Sequence, residues 1–180
     1  HLTKIVPSSH KSNDLSQKKG NHLQIAFAGT LRKKRIQQEL AVVLKDFIRQ
    51  APRIANDLKF VFHLARPNPY AEAFIQSLPV RTQITLRYFD DRLDRELMKA
   101  DILLDIEAEE DEPLSLTKVV NYLGYQKPIW AICMPNGTTW ELMTQHNCGY
   151  FSPLGDREAM LSTLHTICKD WREDKIKQSI

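Results

Sequence analysis

The chain has 180 residues, a length that favours a single domain with or without an appended arm. Its hydrophobic fraction of 42% and charged fraction of 26% are close to globular averages, which excludes a largely disordered, collagen-like or disulfide-scaffold protein. No apolar run approaches the roughly 20 residues that a membrane helix needs, and residues 1–20 contain no continuous apolar stretch of the kind found in a secretory signal. Because the first residue is His1 rather than Met, we expect the chain to be part of a longer protein.

The cysteines and the charges indicate the compartment and the kind of partner. Cys133, Cys148 and Cys168 are widely spaced without a CxxC pair, so we predict neither a disulfide framework nor a zinc site. A reducing, cytoplasmic location fits this pattern. Residues 1–35 carry eight Lys or Arg and one Asp, so the net charge of +3 leaves −4 for the remainder. No nucleic-acid-binding motif accompanies the basic start, which therefore indicates a local anion site and no nucleic-acid partner.

Apolar stretches alternate with amphipathic segments along most of the chain. Residues 1–21 are polar and predict a linker or arm, and residues 22–180 predict the folded domain. Strands are predicted at residues 23–31, 59–65, 83–89, 101–106, 127–134 and 148–152. Helices are predicted at residues 36–48, 70–78, 90–99, 115–123, 140–146 and 160–171. This alternation predicts an α/β fold with a doubly wound parallel sheet, Rossmann-like, and ligands bound beyond the carboxyl ends of its strands.

The spacing of apolar residues also predicts which helix faces are buried. One predicted helix should bury Leu97 and Met98, and another should bury Val119 and Val120.

Two loops at the expected ligand-binding edge carry features of anion sites. Gly29 and Thr30 form the glycine turn at the end of the first predicted strand and lead into a helix start with four cations at residues 32–35. Glycine permits close approach, and free N–H groups with cations suit a phosphate, although a solvated basic surface is the alternative. Ser115 is predicted to cap a later helix, and Lys118 follows one turn in, which makes a second cationic helix start. Neither GxGxxG nor a P-loop is present.

Acidic residues and two histidines offer other chemistry. Asp105, Glu107 and residues 109–112 could hold Mg²⁺ or Ca²⁺, but EF-hand spacing is absent and a solvated acidic loop is favoured. His63 and His146 have no Ser or Cys nucleophile at a recognisable spacing. We therefore assign them no catalytic role.

Several short motifs occur in an order that resembles a known family. They are Lys4-Ile-Val-Pro7, Ile25-Ala-Phe-Ala-Gly29, Lys99-Ala-Asp-Ile-Leu-Leu104, Ser115-Leu-Thr-Lys118 continuing to Ile129, and Cys148-Gly-Tyr150. Together they resemble the C-terminal, donor-binding half of a retaining glycosyltransferase of the two-Rossmann-domain (GT-B) architecture, of the group 1 type. The resemblance spans nearly the whole chain and implies an acceptor-binding domain on its N-terminal side.

The resemblance implies a site for a nucleotide diphosphate sugar, with UDP or GDP, and no metal or other cofactor. It implies that the diphosphate lies against Gly29, Thr30, Arg35, Ser115 and Lys118. It places the nucleoside near Arg87, Tyr88 and Asn121, and the sugar near Glu110, Glu112 and Leu114. The segment alone is expected to be inactive, because the acceptor-side groups belong to the other domain.

Two family features are missing, and one of them is a glycine that commonly follows the second strand, where this chain has Ala65-Arg66-Pro67. Many members have two glutamates eight positions apart, the second of which binds the ribose, and the equivalent residues here are Pro113 and Asn121. Asn121 offers only an uncharged amide to a ribose hydroxyl. Two hypotheses therefore stand: the donor-binding half of a glycosyltransferase, or a non-catalytic, degenerate Rossmann-like interaction module.

Overall fold

The computed structural model describes residues 21–31, 34–78, 83–107 and 112–176, apart from the side chains of residues 34–38 and 112–116. Its strands are β1 (Leu23–Gly29), β2 (Leu58–Leu64), β3 (Gln83–Tyr88), β4 (Ile102–Ile106), β5 (Ile129–Cys133) and β6 (Gly149–Pro153). All six predicted strands are confirmed, with bounds that shift by two residues at most. The predicted arm at residues 1–21 lies almost wholly outside the described residues and stays a prediction.

The described helices follow the strands in alternation. They are α1 (Lys34–Gln50), α2 (Pro52–Ala55), α3 (Pro69–Ser77), α4 (Leu93–Met98), α5 (Glu112–Leu123), α6 (Thr138–His146) and α7 (Arg157–Arg172). The short helix α2 was not predicted, and Pro52 stands in its first turn, where the missing N–H costs nothing. Side chains cap two helices: Asn68 accepts from Tyr70 N and Ala71 N of α3, and Asp156 accepts from Ala159 N of α7.

The strands form one parallel sheet in the order β3-β2-β1-β4-β5-β6. The chain therefore builds outward from β1 to one edge, returns to the middle, and builds from β4 to the other edge. This is the doubly wound, Rossmann-like sheet that the sequence predicts. The order reverses between β1 and β4, so ligands are expected beyond the carboxyl ends of these two strands.

Helices cover both faces of the sheet, and a separate apolar core lies on each. One core joins the sheet to α1, α3 and α7, with Phe27, Phe47 and Leu164 among its fully buried side chains. The other joins it to α4, α5 and α6 and contains Val119 and Tyr122. Burial on both faces explains why the central strands are near-continuous apolar runs.

Three predictions about helices are wrong. Met98 and Val120 are 56% and 52% exposed, whereas both were expected to be buried. Met98 is the last residue of the short helix α4, and on α5 the buried positions include Val119 and Tyr122. Ser115 is not an N-cap, because α5 begins three residues earlier, at Glu112.

The cysteines and the helix lengths agree with the composition. Cys133, Cys148 and Cys168 are buried and free, and burial raises the pKa of the Cys133 thiol to about 12. These thiols are therefore poor nucleophiles and poor metal ligands.

In the described part of the chain, no helix combines the length and the apolar character needed to cross a membrane.

Candidate active site at the switch point

The sheet opens between β1 and β4 at their carboxyl ends. Pairing between the two strands stops at Phe27 and Leu104, although β1 still pairs with β2 as far as Gly29. On the other side, β4 pairs with β5 as far as Ile106. The carboxyl end of each strand thus stays bonded only to its outer neighbour. This opening, with Phe27, Gly29, Asp105 and Lys118 around it, is called the switch-point crevice below.

Lys118 reaches the crevice from helix α5. Its Nζ forms an ion pair with Asp105 Oδ1 at 2.9 Å and lies 4.4 Å from the centre of the Phe27 ring. The Lys118 side chain is 23% exposed, whereas Asp105 is fully buried. The carboxylate and the ring face therefore fix the ammonium at the carboxyl end of β1.

Gly29 lies beside the Lys118 side chain, and its backbone conformation is what favours glycine at this position. It has φ +147°, a conformation that favours glycine, and an added Cβ would lie 3.5 Å from both Cε and Nζ of Lys118. The Gly29 carbonyl accepts a hydrogen bond from Ala65 N at 3.2 Å, which joins the loops after β1 and β2. Thr30 follows Gly29 and is half-buried. The structure thus brings Gly29 and Lys118 together, as the prediction of an anion site requires.

Tyr122 fills the gap in the sheet one helical turn after Lys118. Its hydroxyl accepts from Ala28 N at 2.8 Å and donates to Ala28 O at 3.3 Å. These bonds take the place of the pairing that β4 no longer provides. Burial strongly raises the pKa of the phenol, so it stays protonated. Tyr122 was missed from the sequence, and its spacing of four residues from Lys118 on one helix face was the available signal.

The prediction of a solvated acidic loop after β4 is wrong for its first two carboxylates. Asp105 and Glu107 are both fully buried. Glu107 accepts from Met134 N at 2.6 Å and from Thr139 Oγ1 at 3.1 Å, so it ties the end of β4 to the loop after β5 and to α6. Asp105 and Glu107 are two residues apart and therefore project from the same face of β4. Each carboxylate holds a neighbouring segment in place.

The nucleoside residues expected from the resemblance lie at the edge of the same sheet. Arg87 and Tyr88 end β3, where Arg87 Nη1 donates to Glu96 at 2.8 Å and Tyr88 Oη donates to Glu72 at 2.7 Å. The hydrogen bond to Glu72 raises the pKa of Tyr88. Strand β2 lies between β3 and β1, so these two residues are two strands away from the β1 side of the crevice. Asn121 is exposed on α5, one turn beyond Lys118.

His63 is a further buried polar residue near this edge. It is 2% exposed on β2, in register with Ala28 of β1 and Arg87 of β3. Its Nε2 has no hydrogen-bond partner among the described residues. Burial, followed by the charge of Arg87, lowers the pKa of the His63 imidazole. His146 is exposed at the end of α6.

The other predicted site residues are only partly accessible to description. Glu110 lies outside the described residues, and so do the side chains of Arg35, Glu112, Leu114 and Ser115, whose backbones belong to α1 and α5. Their expected ligand contacts stay predictions. Within the described ranges, no three His, Cys, Asp or Glu side chains converge to hold a metal ion.

Known structures share this fold. Comparison with protein-family models gives no match, and comparison with curated proteins gives none. The complex of S. aureus MnaA with UDP matches with 14% identity over 97% of this chain and 44% of that chain, at TM-score 0.57. WaaG, a glycosyltransferase involved in lipopolysaccharide biosynthesis, matches with 15% identity over 87% of this chain and 42% of that chain, at TM-score 0.61. A variant of S. aureus TarM in a complex that includes UDP matches with 10% identity over 89% of this chain and 31% of that chain, at TM-score 0.60.

At these low sequence identities, the structural similarity shows the fold alone. The domain has the Rossmann-like architecture of one half of a GT-B protein, similar to the C-terminal domain, as the resemblance implies. The chain spans less than half the length of each of the three matched proteins.

Proposed function

We propose that this domain binds a nucleotide diphosphate sugar, with UDP or GDP, in the switch-point crevice. It would serve as the donor-binding half of a retaining glycosyltransferase whose acceptor-binding half precedes it in a longer chain. The observation that carries the proposal is the Lys118 ammonium, held 4.4 Å from the Phe27 ring at the point where strand order reverses. The presence of UDP in the matched MnaA and TarM complexes supports the ligand class.

The proposed chemistry follows from the charge of the leaving group. When the sugar is transferred, negative charge develops on the phosphate oxygens of the departing nucleotide. Fixed cations and helix N–H groups stabilise that charge without a metal ion. Lys118 supplies one cation, and Arg35, in the first turn of α1, is the proposed second. Gly29, Thr30 and Ser115 complete the proposed diphosphate site.

The remaining contacts follow from the placement of the loops. We assign the nucleoside to the end of β3 at Arg87 and Tyr88, and to Asn121 on α5. We assign the sugar to the segment that leads into α5, namely Glu110, Glu112 and Leu114. No catalytic residue is assigned, because the acceptor side of the reaction needs the second domain.

A non-catalytic interaction module is the second candidate, and one observation favours it. Lys118 is already paired with the buried carboxylate of Asp105, so its charge is compensated before any anion arrives. Pro113 and Asn121, which stand where the family has its two glutamates, also favour the interaction module. In that case the crevice would be only part of the folded scaffold.

Titration of the chain with UDP, GDP and their sugars by calorimetry separates the two candidates. We expect Lys118→Ala and Arg35→Ala each to weaken binding by about 10–100-fold, the size of a lost hydrogen bond to a charged group. Lys169→Gln is the matched control, since Lys169 is exposed near the end of α7, which packs on the opposite face of the sheet from α5. If no nucleotide binds at millimolar concentration while circular dichroism reports an intact fold, the interaction module is the correct reading.

A further inference from the structure

Asp105 places a buried carboxylate, paired with Lys118, beside the switch-point crevice. It is the fourth residue of β4, its side chain is fully buried, and its Oδ1 lies 2.9 Å from Lys118 Nζ. Any anion that contacts Lys118 therefore approaches Asp105 as well. Burial excludes the water and salt that would screen the resulting repulsion.

The pair thus has two opposite effects on an anionic ligand. Asp105 holds the ammonium in place, which favours binding because the lysine loses no further freedom when the ligand arrives. It also cancels most of the positive field that the ligand would feel, which weakens binding. The cancellation of the positive field weakens binding more as the charge of the ligand grows, whereas the benefit of a positioned ammonium does not depend on that charge.

Building on the proposed function, we propose that Asp105 is an affinity-limiting counterion that weakens the hold of Lys118 on the diphosphate. The consequence is faster release of the nucleotide diphosphate, the more highly charged product, after the sugar has been transferred. Release of product limits the turnover of many enzymes, so a positioned cation with reduced net charge is useful. Tight uniform binding of the nucleotide would add nothing to the chemical step.

The test is Asp105→Asn in the full chain, with calorimetric titration by a ladder of ligand charges. The asparagine oxygen still accepts from Lys118, so the geometry is kept while the charge is removed. We expect UDP and GDP to bind about tenfold more tightly than to the wild type, the monophosphates to gain less, and the nucleosides to be unchanged. Pyrophosphate should gain as the diphosphates do.

Asp101→Asn is the matched control. Asp101 immediately precedes β4, where its Oδ2 accepts from Gln24 N at 2.8 Å, and it lies about 13 Å from Asp105 at the opposite end of the strand. Its substitution removes the same charge without a gain that depends on ligand charge. Asp105→Ala, which also removes the acceptor for Lys118, should gain less than Asp105→Asn.

The outcomes separate this inference from the proposed function. Unchanged or weaker diphosphate binding by Asp105→Asn, with binding by the wild type intact, overturns the inference alone. A gain of equal size for nucleosides and diphosphates also overturns it. Failure of every form to bind any ligand in the ladder overturns both the inference and the proposed function.

Discussion

The imidazole of His63 is a buried titratable group on β2. It is 2% exposed, and its neighbours Arg87, Asp90 and Glu96 act on it with opposite signs. Burial is the largest influence, followed by the positive charge of Arg87, and together they lower the pKa below the ordinary 6.5. The native state therefore holds His63 neutral.

This burial predicts a loss of stability in mild acid. The unfolded chain binds a proton at His63 near pH 6.5, whereas the native state binds it only at lower pH. The stabilisation is fully present above pH 6.5 and is lost as pH falls toward the native pKa. Urea unfolding at pH 7.5 and pH 5 measures the change, and His63→Gln should remove this part of the pH dependence. An unaltered pH dependence in His63→Gln contradicts the prediction.

The charged residues around the crevice could be predicted from the sequence only in part. Lys118 and Gly29 were predicted to lie at one site, and they do. Asp105 and Glu107 were expected in solvent because an acidic run usually is exposed. Their burial depends on α5 and α6 packing over the end of β4, and on partners that stand 13 and 32 residues away. Local pattern contains no information about such partners.

The Tyr122 phenol connects helix α5 to β1 through hydrogen bonds to the Ala28 backbone, which gives a test at the scale of elements. Tyr122→Phe removes the hydroxyl and leaves the Ala28 N–H buried without its partner. We expect a loss of about 1–3 kcal/mol in the free energy of unfolding, the cost of an unsatisfied buried donor. Urea unfolding checks this value, and the Ala28 amide should exchange with solvent faster.

Tyr125→Phe is the control for that substitution. Tyr125 stands three residues later, and its hydroxyl donates to Asp94 at 2.6 Å on the surface. We expect a loss under about 1 kcal/mol, since the carboxylate left behind is solvated. Equal losses for the two variants would contradict the role given to the Tyr122 hydroxyl.

The first residue of β6, Gly149, lies directly against the backbone of Ile129 in β5. Gly149 has φ +143°, and an added Cβ would lie 2.2 Å from Ile129 O of β5. We expect Gly149→Ala to destabilise the protein by more than about 4 kcal/mol, because backbone on both sides must move. Gly155→Ala, at φ +84° with nothing within 4 Å, should cost only about 1–2 kcal/mol of backbone strain. Thermal unfolding of both variants measures the difference, and a similar cost for both would contradict it.

Element boundaries were predictable where a residue marks them and less so elsewhere. Helix α1 ends two residues before Pro52 and β1 ends at Gly29, close to the expected positions. Ser115 looked like a cap, but the acidic residue Glu112 begins α5, and Pro113 and Ser115 continue the helix. Val120 fits the apolar spacing of α5 as well as Tyr122 does, and only the position of β1 decides that Tyr122 is the buried one.

At the scale of the whole molecule, the regular alternation of strands and helices was sufficient to predict the doubly wound sheet. Right-handed crossovers and full burial of parallel strands leave few other arrangements for such a pattern. The position of the crevice was predictable for the same reason, because the sheet order determines where it lies, and ligand binding there stays a prediction. The net charge of the crevice was not predictable, since it depends on the burial of Asp105.

The packing of α7 against α1 affects the order in which the chain folds during its synthesis. Leu44 and Phe47 on α1 share one core with Leu164 and Ile167 on α7, and Arg172 pairs with Asp57 at 2.7 Å. More than 100 residues separate the two helices along the chain. The part of the apolar side of α1 that contacts α7 is therefore covered only after a segment late in the chain has been synthesised. During synthesis from the ribosome, that side is exposed to chaperones and to other chains until residues 157–172 have emerged.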